Sequence, residues 1–170
     1  MAYSHNSIGN IYAAQNKHKE ALISFEKAFA LWKSIDYTPG YVGSYISIAE
    51  ELYKIGSFDK SKENYLEACA MSIKLDDKRG LQSAYMGLAY VLVKKKEFSE
   101  AKAYFEKALT LAQKMNAQKK LQDVYEGLSK LELAQGNYES ALRNFELVAL
   151  YKDIIINDDN NQKMLQAQMQ

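Results

Sequence analysis

Apolar residues return along this chain at helical steps, without strand-like alternation. Ala21, Leu22, Phe25, Ala28, Phe29 and Trp32 lie on an i, i+3, i+4, i+7 stripe, which predicts an amphipathic helix from about His18 to Ser34. Ile8, Ile11 and Tyr12 mark an earlier helix from Tyr3 to Ala14, with Gly9 in its middle where a second helix can approach closely. The stripe then repeats with a fixed step. Phe25, Tyr65, Phe105 and Phe145 are each 40 residues apart, and so are Ala28, Ala68, Ala108 and Val148. Ala21, Ser61, Ala101 and Ala141 keep the same step, as do His18, Phe58, Phe98 and Tyr138. A period held in four independent columns makes this a chain of repeated helical hairpins.

The polar breaks fall at matching phases. Gln15 to His18, Gly56-Ser57 and Gly136-Asn137 are short turns inside hairpins, and helices joined by so short a turn run antiparallel. Between hairpins, Thr38 is expected to cap a helix that Pro39 begins, and Asp76-Asp77 to supply the next cap. One domain over residues 1–170 is expected, with repeats at about 2–38, 39–77, 78–117 and 118–153. Beyond Tyr151 the pattern stops. Ile154 to Ile156 is apolar, and Met164, Leu165 and Met169 keep roughly helical spacing in a polar stretch, so residues 154–170 are expected to form a separate C-terminal helix. The expected fold class is all-α: an α-α superhelix, or solenoid, of four helix pairs plus that helix.

Charge narrows the partners. Lys and Arg number 22 against 21 Asp and Glu, a net +1, so this domain lacks the positive field a nucleic-acid binder needs. No apolar run reaches the ~20 residues that cross a bilayer, so no membrane span is expected within this chain. The single cysteine, Cys69, excludes an internal disulfide and every cysteine-based zinc pattern.

The columns also carry a family signature. In the first unit Ile8-Gly9, Tyr12, Ala21, Phe25 and Ala28 follow one another in the order of the tetratricopeptide repeat; the second has Tyr45, Ile48-Ala49, Leu52, Ser61, Tyr65 and Ala68. Tyr85, Leu88-Ala89, Leu92, Ala101, Phe105 and Ala108 serve the third, and Tyr125, Leu128-Ser129, Ala141, Phe145 and Val148 the fourth, where Glu132 replaces the expected apolar residue. Most of the chain resembles this family. Its period departs from the family's ~34, so longer helices or longer links are expected, and the unit-ending proline survives only at Pro39. Tyr151-Lys-Asp followed by Asn157-Asp-Asp resembles the segment closing the repeat arrays of bacterial sensor proteins, especially those of Bacteroidetes. There it leads to a membrane helix with a histidine kinase or to a DNA-binding output domain. The abrupt start within a helix pattern and the polar end at Gln170 are expected of a piece cut from such a chain, whose compartment, cytoplasm or periplasm, follows the parent protein.

The resemblance implies a function at the surface, because stacked pairs share one core and the first helix of each pair lines a concave side. Its exposed phases project to Tyr3, Asn6, Asn10 and Ala13; Gly43, Ile46, Glu50 and Tyr53; Ser83, Met86, Tyr90 and Val93; and Asp123, Glu126, Lys130 and Leu133. From these, Asn6, Asn10, Ile46, Glu50, Tyr53, Met86, Tyr90, Val93, Glu126 and Lys130 are the candidate residues for holding a peptide or protein segment. Ile46, Tyr53, Met86 and Tyr90 would form an apolar floor, unless Met86 and Tyr90 fill gaps between units. The implied role is a protein-protein interaction scaffold, the sensory or regulatory part of a larger bacterial signalling protein. The alternative is a structural module in which the tail or an end face joins two copies as a homodimer. Family members that clamp a C-terminal carboxylate use cations where Glu50, Met86 and Tyr90 stand, so that role is not carried over.

Catalysis finds no support in the residues. His5 and His18 occupy columns that are otherwise aromatic and read as packing; Cys69 reads as a buried thiol. Glu50 and Glu51 point some 100° apart on a helix, and Lys94 to Lys96 reads as a solvated helix end. No enzyme, cofactor or metal is expected.

Overall fold

The computed structural model describes residues 1–168 as eight α-helices. They are α1 (Ala2–Ala14), α2 (His18–Ser34), α3 (Pro39–Lys54), α4 (Phe58–Lys74), α5 (Lys78–Lys94), α6 (Phe98–Lys114), α7 (Gln118–Ala134) and α8 (Tyr138–Gln168). Met169, placed by its spacing in the tail helix, lies outside the described residues.

Every turn between helices is built the same way. Asn16, Asp36, Gly56, Asp76, Lys96, Asn116 and Gly136 have φ between +48° and +81°, so a left-handed residue recurs every 20 positions. The residue after each one donates its N–H to the carbonyl five positions back, as in Lys17 to Tyr12 (2.9 Å), Ser57 to Leu52 (2.8 Å) and Asn137 to Glu132 (2.9 Å). The left-handed residue itself donates to the carbonyl three back, as in Asn16 to Ala13 (3.0 Å). This double bond pattern satisfies carbonyls that a helix end leaves orphaned. It also accounts for the long period: α2, α4, α5, α6 and α7 each have 17 residues, and the extra length lies in the helices, not the links.

Helix starts follow the sequence less closely. Asp77 caps α5, accepting from the Gly80 N–H at 2.9 Å, but Thr38 makes no side-chain cap bond and is itself helical in backbone. Pro39 at the first helical position, with a pre-set φ and no N–H to satisfy, starts α3 without help.

The separate tail helix is not found; α8 runs unbroken for 31 residues, from Tyr138 through the stretch expected to form it. The next left-handed position would be 156, and it holds Ile156. A β-branched residue is strongly disfavoured there, so no turn forms and the helix continues.

The chain gathers into two compact units, residues 1–104 and 105 onward. In the first, α2 packs on α3, α4 on α5, and α3 touches α5 directly. Phe25, Ile48, Leu52, Tyr65, Leu88 and Leu92 are buried there. Small residues let rings in: a Cβ on Gly9 would lie 2.5 Å from Phe25, and one on Gly87 would lie 2.1 Å from Tyr65. The Ser61 hydroxyl donates to the Ala49 carbonyl at 2.7 Å across the α3–α4 crossing. In the second unit Ser129 donates to the Ala141 carbonyl at 2.9 Å, the same contact with the serine on the opposite helix. Phe105 sits on Gly127, where a Cβ would come within 2.4 Å, and Tyr125 stacks on Tyr151 at 5.6 Å.

Candidate functional site

Residues three and four apart share one face of a helix, so Ile46, Glu50 and Tyr53 run along α3, and Met86, Tyr90 and Val93 along α5. Because α3 and α5 touch, the two rows belong to neighbouring helices. Ile46, Tyr53, Tyr90 and Val93 are half-buried and Glu50 is exposed. Met86 is buried at 9% exposure, so it offers almost no surface to a ligand and takes the packing role instead. Tyr53 leans on Phe58 with ring centroids 5.7 Å apart, and burial pushes its phenol above the ordinary value. The hydroxyl therefore stays a neutral donor at physiological pH. In α1, Asn6 is half-buried and Asn10 exposed. In the second unit, exposed Glu126 and Lys130 pair with each other at 2.6 Å, one turn apart.

The first unit holds a feature that spacing only half indicates. The N-terminal halves of α1 and α3, with the link between α2 and α3, border an open hollow of about 200 Å³. Tyr3, Asn6 and Gly43 line it, as their projected phases imply, but so do Trp32 and Tyr37. Trp32 is the sole tryptophan, and it stands edge-on to Tyr3 at 4.6 Å and tilted against Tyr37 at 4.9 Å. The neighbouring Tyr37 hydroxyl holds the Tyr3 phenol above its ordinary value. Ser44, 2% exposed, also lines the hollow, and its hydroxyl has no hydrogen-bond partner. Gly43 lies inside α3 with nothing within 4 Å of the place a Cβ would take. A glycine inside a helix costs about 1 kcal/mol relative to alanine, and here no packing offsets it.

Two polar clusters were also hidden from the sequence. Glu51, 1% exposed, has His18 Nδ1 at 2.8 Å and Lys54 Nζ at 2.6 Å. His18 thus does more than pack: it joins the start of α2 to a buried carboxylate on α3. Lys94 to Lys96 are exposed at the end of α5 as expected, and Lys95 also reaches Asp59 at 2.7 Å and Glu97 at 3.3 Å. Lys62 meets Glu97 at 3.0 Å and Glu100 at 3.3 Å, linking α4 to the turn before α6. Lysine hydrogen bonds hold the Asp59 and Glu97 carboxyls below their usual range. The same contacts raise Lys95, and they raise Lys62 although burial works against it. These pairs span helices far apart in sequence, and no local motif announces them.

Among the described residues no cluster of three or more His, Cys, Asp or Glu could hold a metal ion, and Cys69 is buried. No described helix is long and apolar enough to cross a membrane.

A family model described as tetratricopeptide repeat matches residues 1–74, and a second of the same description matches residues 82–115. A search of curated proteins finds no match. Among solved structures the chain is similar to BtubC (BKLC) from P. vanneervenii, at 15% identity and TM-score 0.79, over 91% of this chain and 64% of that one. It is similar to the Rap conjugation gene regulator of the plasmid pLS20, solved in complex with a Phr peptide, at 22% identity and TM-score 0.78, over 87% of this chain and 41% of that one. Aspartyl phosphate phosphatase F from Bacillus subtilis is 12% identical with TM-score 0.82, over 91% of this chain and 40% of that one. At such identities the likeness is one of fold, a helical solenoid, and this chain spans less than two thirds of each structure's length.

Proposed function

We propose that this chain, which belongs to the tetratricopeptide-repeat family, is a protein-interaction scaffold that holds an extended peptide or protein segment against the concave-side faces of its first helices. The observation that carries this reading is the pair of rows on α3 and α5. Ile46, Tyr53, Tyr90 and Val93 are apolar or aromatic, sit on touching helices, and keep part of their surface open. Such side chains contribute contact area at little entropic cost, and Asn6 and Asn10 on α1 add groups that pair with peptide backbone. A fold neighbour solved with a bound peptide supports the same use. The reading extends to the sensory part of a larger bacterial signalling protein, supported by the gene-regulator neighbour and by the resemblance of the stretch after Tyr151.

The test is capture of a peptide selected from a random displayed library. Tyr53→Ala combined with Tyr90→Ala is expected to abolish capture while leaving helical circular dichroism and oligomeric state unchanged. Undiminished capture by that double variant would sink the reading.

A second reading has its own observation. Leu133, Tyr138, Leu142 and Phe145, all between 51% and 73% exposed, surround an apolar hollow of about 300 Å³ on the last hairpin. A second copy seated there would make the chain a self-associating module. Phe145→Asp would then shift a dimer to monomer in sedimentation, and a wild type monomeric at all concentrations removes this reading.

A further inference from the structure

We propose that the hollow between the N-terminal halves of α1 and α3 is a subsite for one uncharged ring side chain, proline or phenylalanine, of the bound peptide; this rests on the concave-side reading above. Three independent observations converge on it. The first is Gly43. Gly9, Gly40, Gly80, Gly87 and Gly127 each have a neighbour that a Cβ would strike, and Gly56 and Gly136 take left-handed turns. Gly43 has neither reason, yet it weakens the start of α3 and leaves the hollow open. A side chain at this position would stand in the space a ligand needs.

The second is the wall. Trp32, only 8% exposed, forms the base of the hollow over Gly40, where a Cβ would lie 2.5 Å from the indole, and the open ring surface comes from Tyr3 and Tyr37, which stand at an angle to it. Angled rings present both edges and faces, the geometry in which a further ring packs well. About 200 Å³ is room for a single side chain, smaller than the 300–1,000 Å³ or so of sites that enclose whole small molecules.

The third is polarity without charge. No lining side chain carries a charge at neutral pH, so a charged occupant would lose hydration and gain no counter-ion. The Ser44 hydroxyl, buried and unpartnered, and the Asn6 amide leave hydrogen-bonding capacity for the peptide backbone that flanks the ring.

Trp32, as the sole tryptophan, reports on the hollow directly. The full chain is titrated with N-acetyl-phenylalaninamide, N-acetyl-prolinamide and N-acetyl-lysinamide while its emission is followed. The two ring amides are expected to give a saturable change at concentrations at least about tenfold below any response to the lysine amide. Gly43→Leu plugs the hollow and is expected to abolish the change, with circular dichroism retained and a thermal midpoint no lower than wild type. No saturable response to either ring amide, an equal response to the lysine amide, or an unaltered response in a folded Gly43→Leu chain overturns the proposal. Peptide capture without any amide response also overturns it and leaves the concave-side reading standing; an amide response without peptide capture removes the concave-side reading and, with it, the assignment of the ring to a bound peptide.

Discussion

Phe105 and Phe145 lie one period apart in the same column, but the first is fully buried against Gly127 while the second is 60% exposed. Phe25 and Tyr65, earlier in that column, are buried like Phe105. The ring is thus only half of each contact. For Tyr65 and Phe105 the other half is a glycine 22 residues further on, Gly87 or Gly127, in the middle of the next hairpin's first helix. After Phe145 the same count falls near the end of α8, in a helix that never turned back. A repeat therefore encodes a surface and leaves its burial to whatever follows.

The largest expected effect tests that contrast directly. Phe105→Ala should cost about 3–5 kcal/mol in denaturant unfolding, whereas Phe145→Ala should cost no more than about 0.5 kcal/mol. Equal losses would mean that Phe145 is covered in solution. Next comes the seat of the ring: Gly127→Ala should cost about 1–3 kcal/mol by overpacking, and combining it with Phe105→Leu should recover part of the loss. Full additivity would show that ring and glycine do not meet.

Turns sharpen the contrast at lower amplitude. Lys96 pays for a left-handed φ of +62° that glycine adopts freely, so Lys96→Gly should stabilise by about 0.5–1 kcal/mol. A destabilised variant would show that the lysine makes contacts outweighing its strain. The smallest effect lies in the charges around Lys62, whose column partner on the last hairpin is the apolar Leu142. Asp59 and Glu97 titrate below their usual values when folded, so their contribution is complete above the unfolded carboxylate range and is lost as pH falls through the depressed values. Lys62 and Lys95 are raised, so theirs is complete below the unfolded lysine value and disappears as pH climbs through the folded one. Wild type and Lys95→Ala should differ most in thermal midpoint near neutrality and converge below about pH 3. A constant gap from neutral to acid pH would remove the ion pairs as its cause.

The helices were legible because their cause is local. Apolar spacing and the turn residues at 16, 36, 56, 76, 116 and 136 lie on the line of the sequence, and only Lys96 departs from the usual turn chemistry. The absent tail turn was not legible, because the 40-residue step alone does not mark position 156 as a turn; the 20-residue step of the structure does, and there stands the β-branched Ile156. Less of the candidate site could be read. Helical phase places Tyr53 and Tyr90 on a face, but whether Met86 shows or hides depends on how closely α3 and α5 approach. Trp32 reads from its stripe as core and is buried, but the stripe does not show which rings cover it. It meets Tyr3 and Tyr37, a contact set by the α2–α3 turn and by the bare backbone of Gly40. The pairings of His18 with Glu51 and of Lys95 with Asp59 join residues over 30 positions apart, which no periodicity encodes.

The turn every 20 residues and the contact pattern every 40 give this chain two nested translational symmetries. Loss of one helix with its turn would leave the remaining caps at their 20-residue spacing, yet exchange the roles of the two helix types from that point onward. Every ring beyond it would then face the layer its glycine seat had left. Chain length can change without penalty only in whole hairpins, so duplications and deletions that survive should come in steps of two helices, never one.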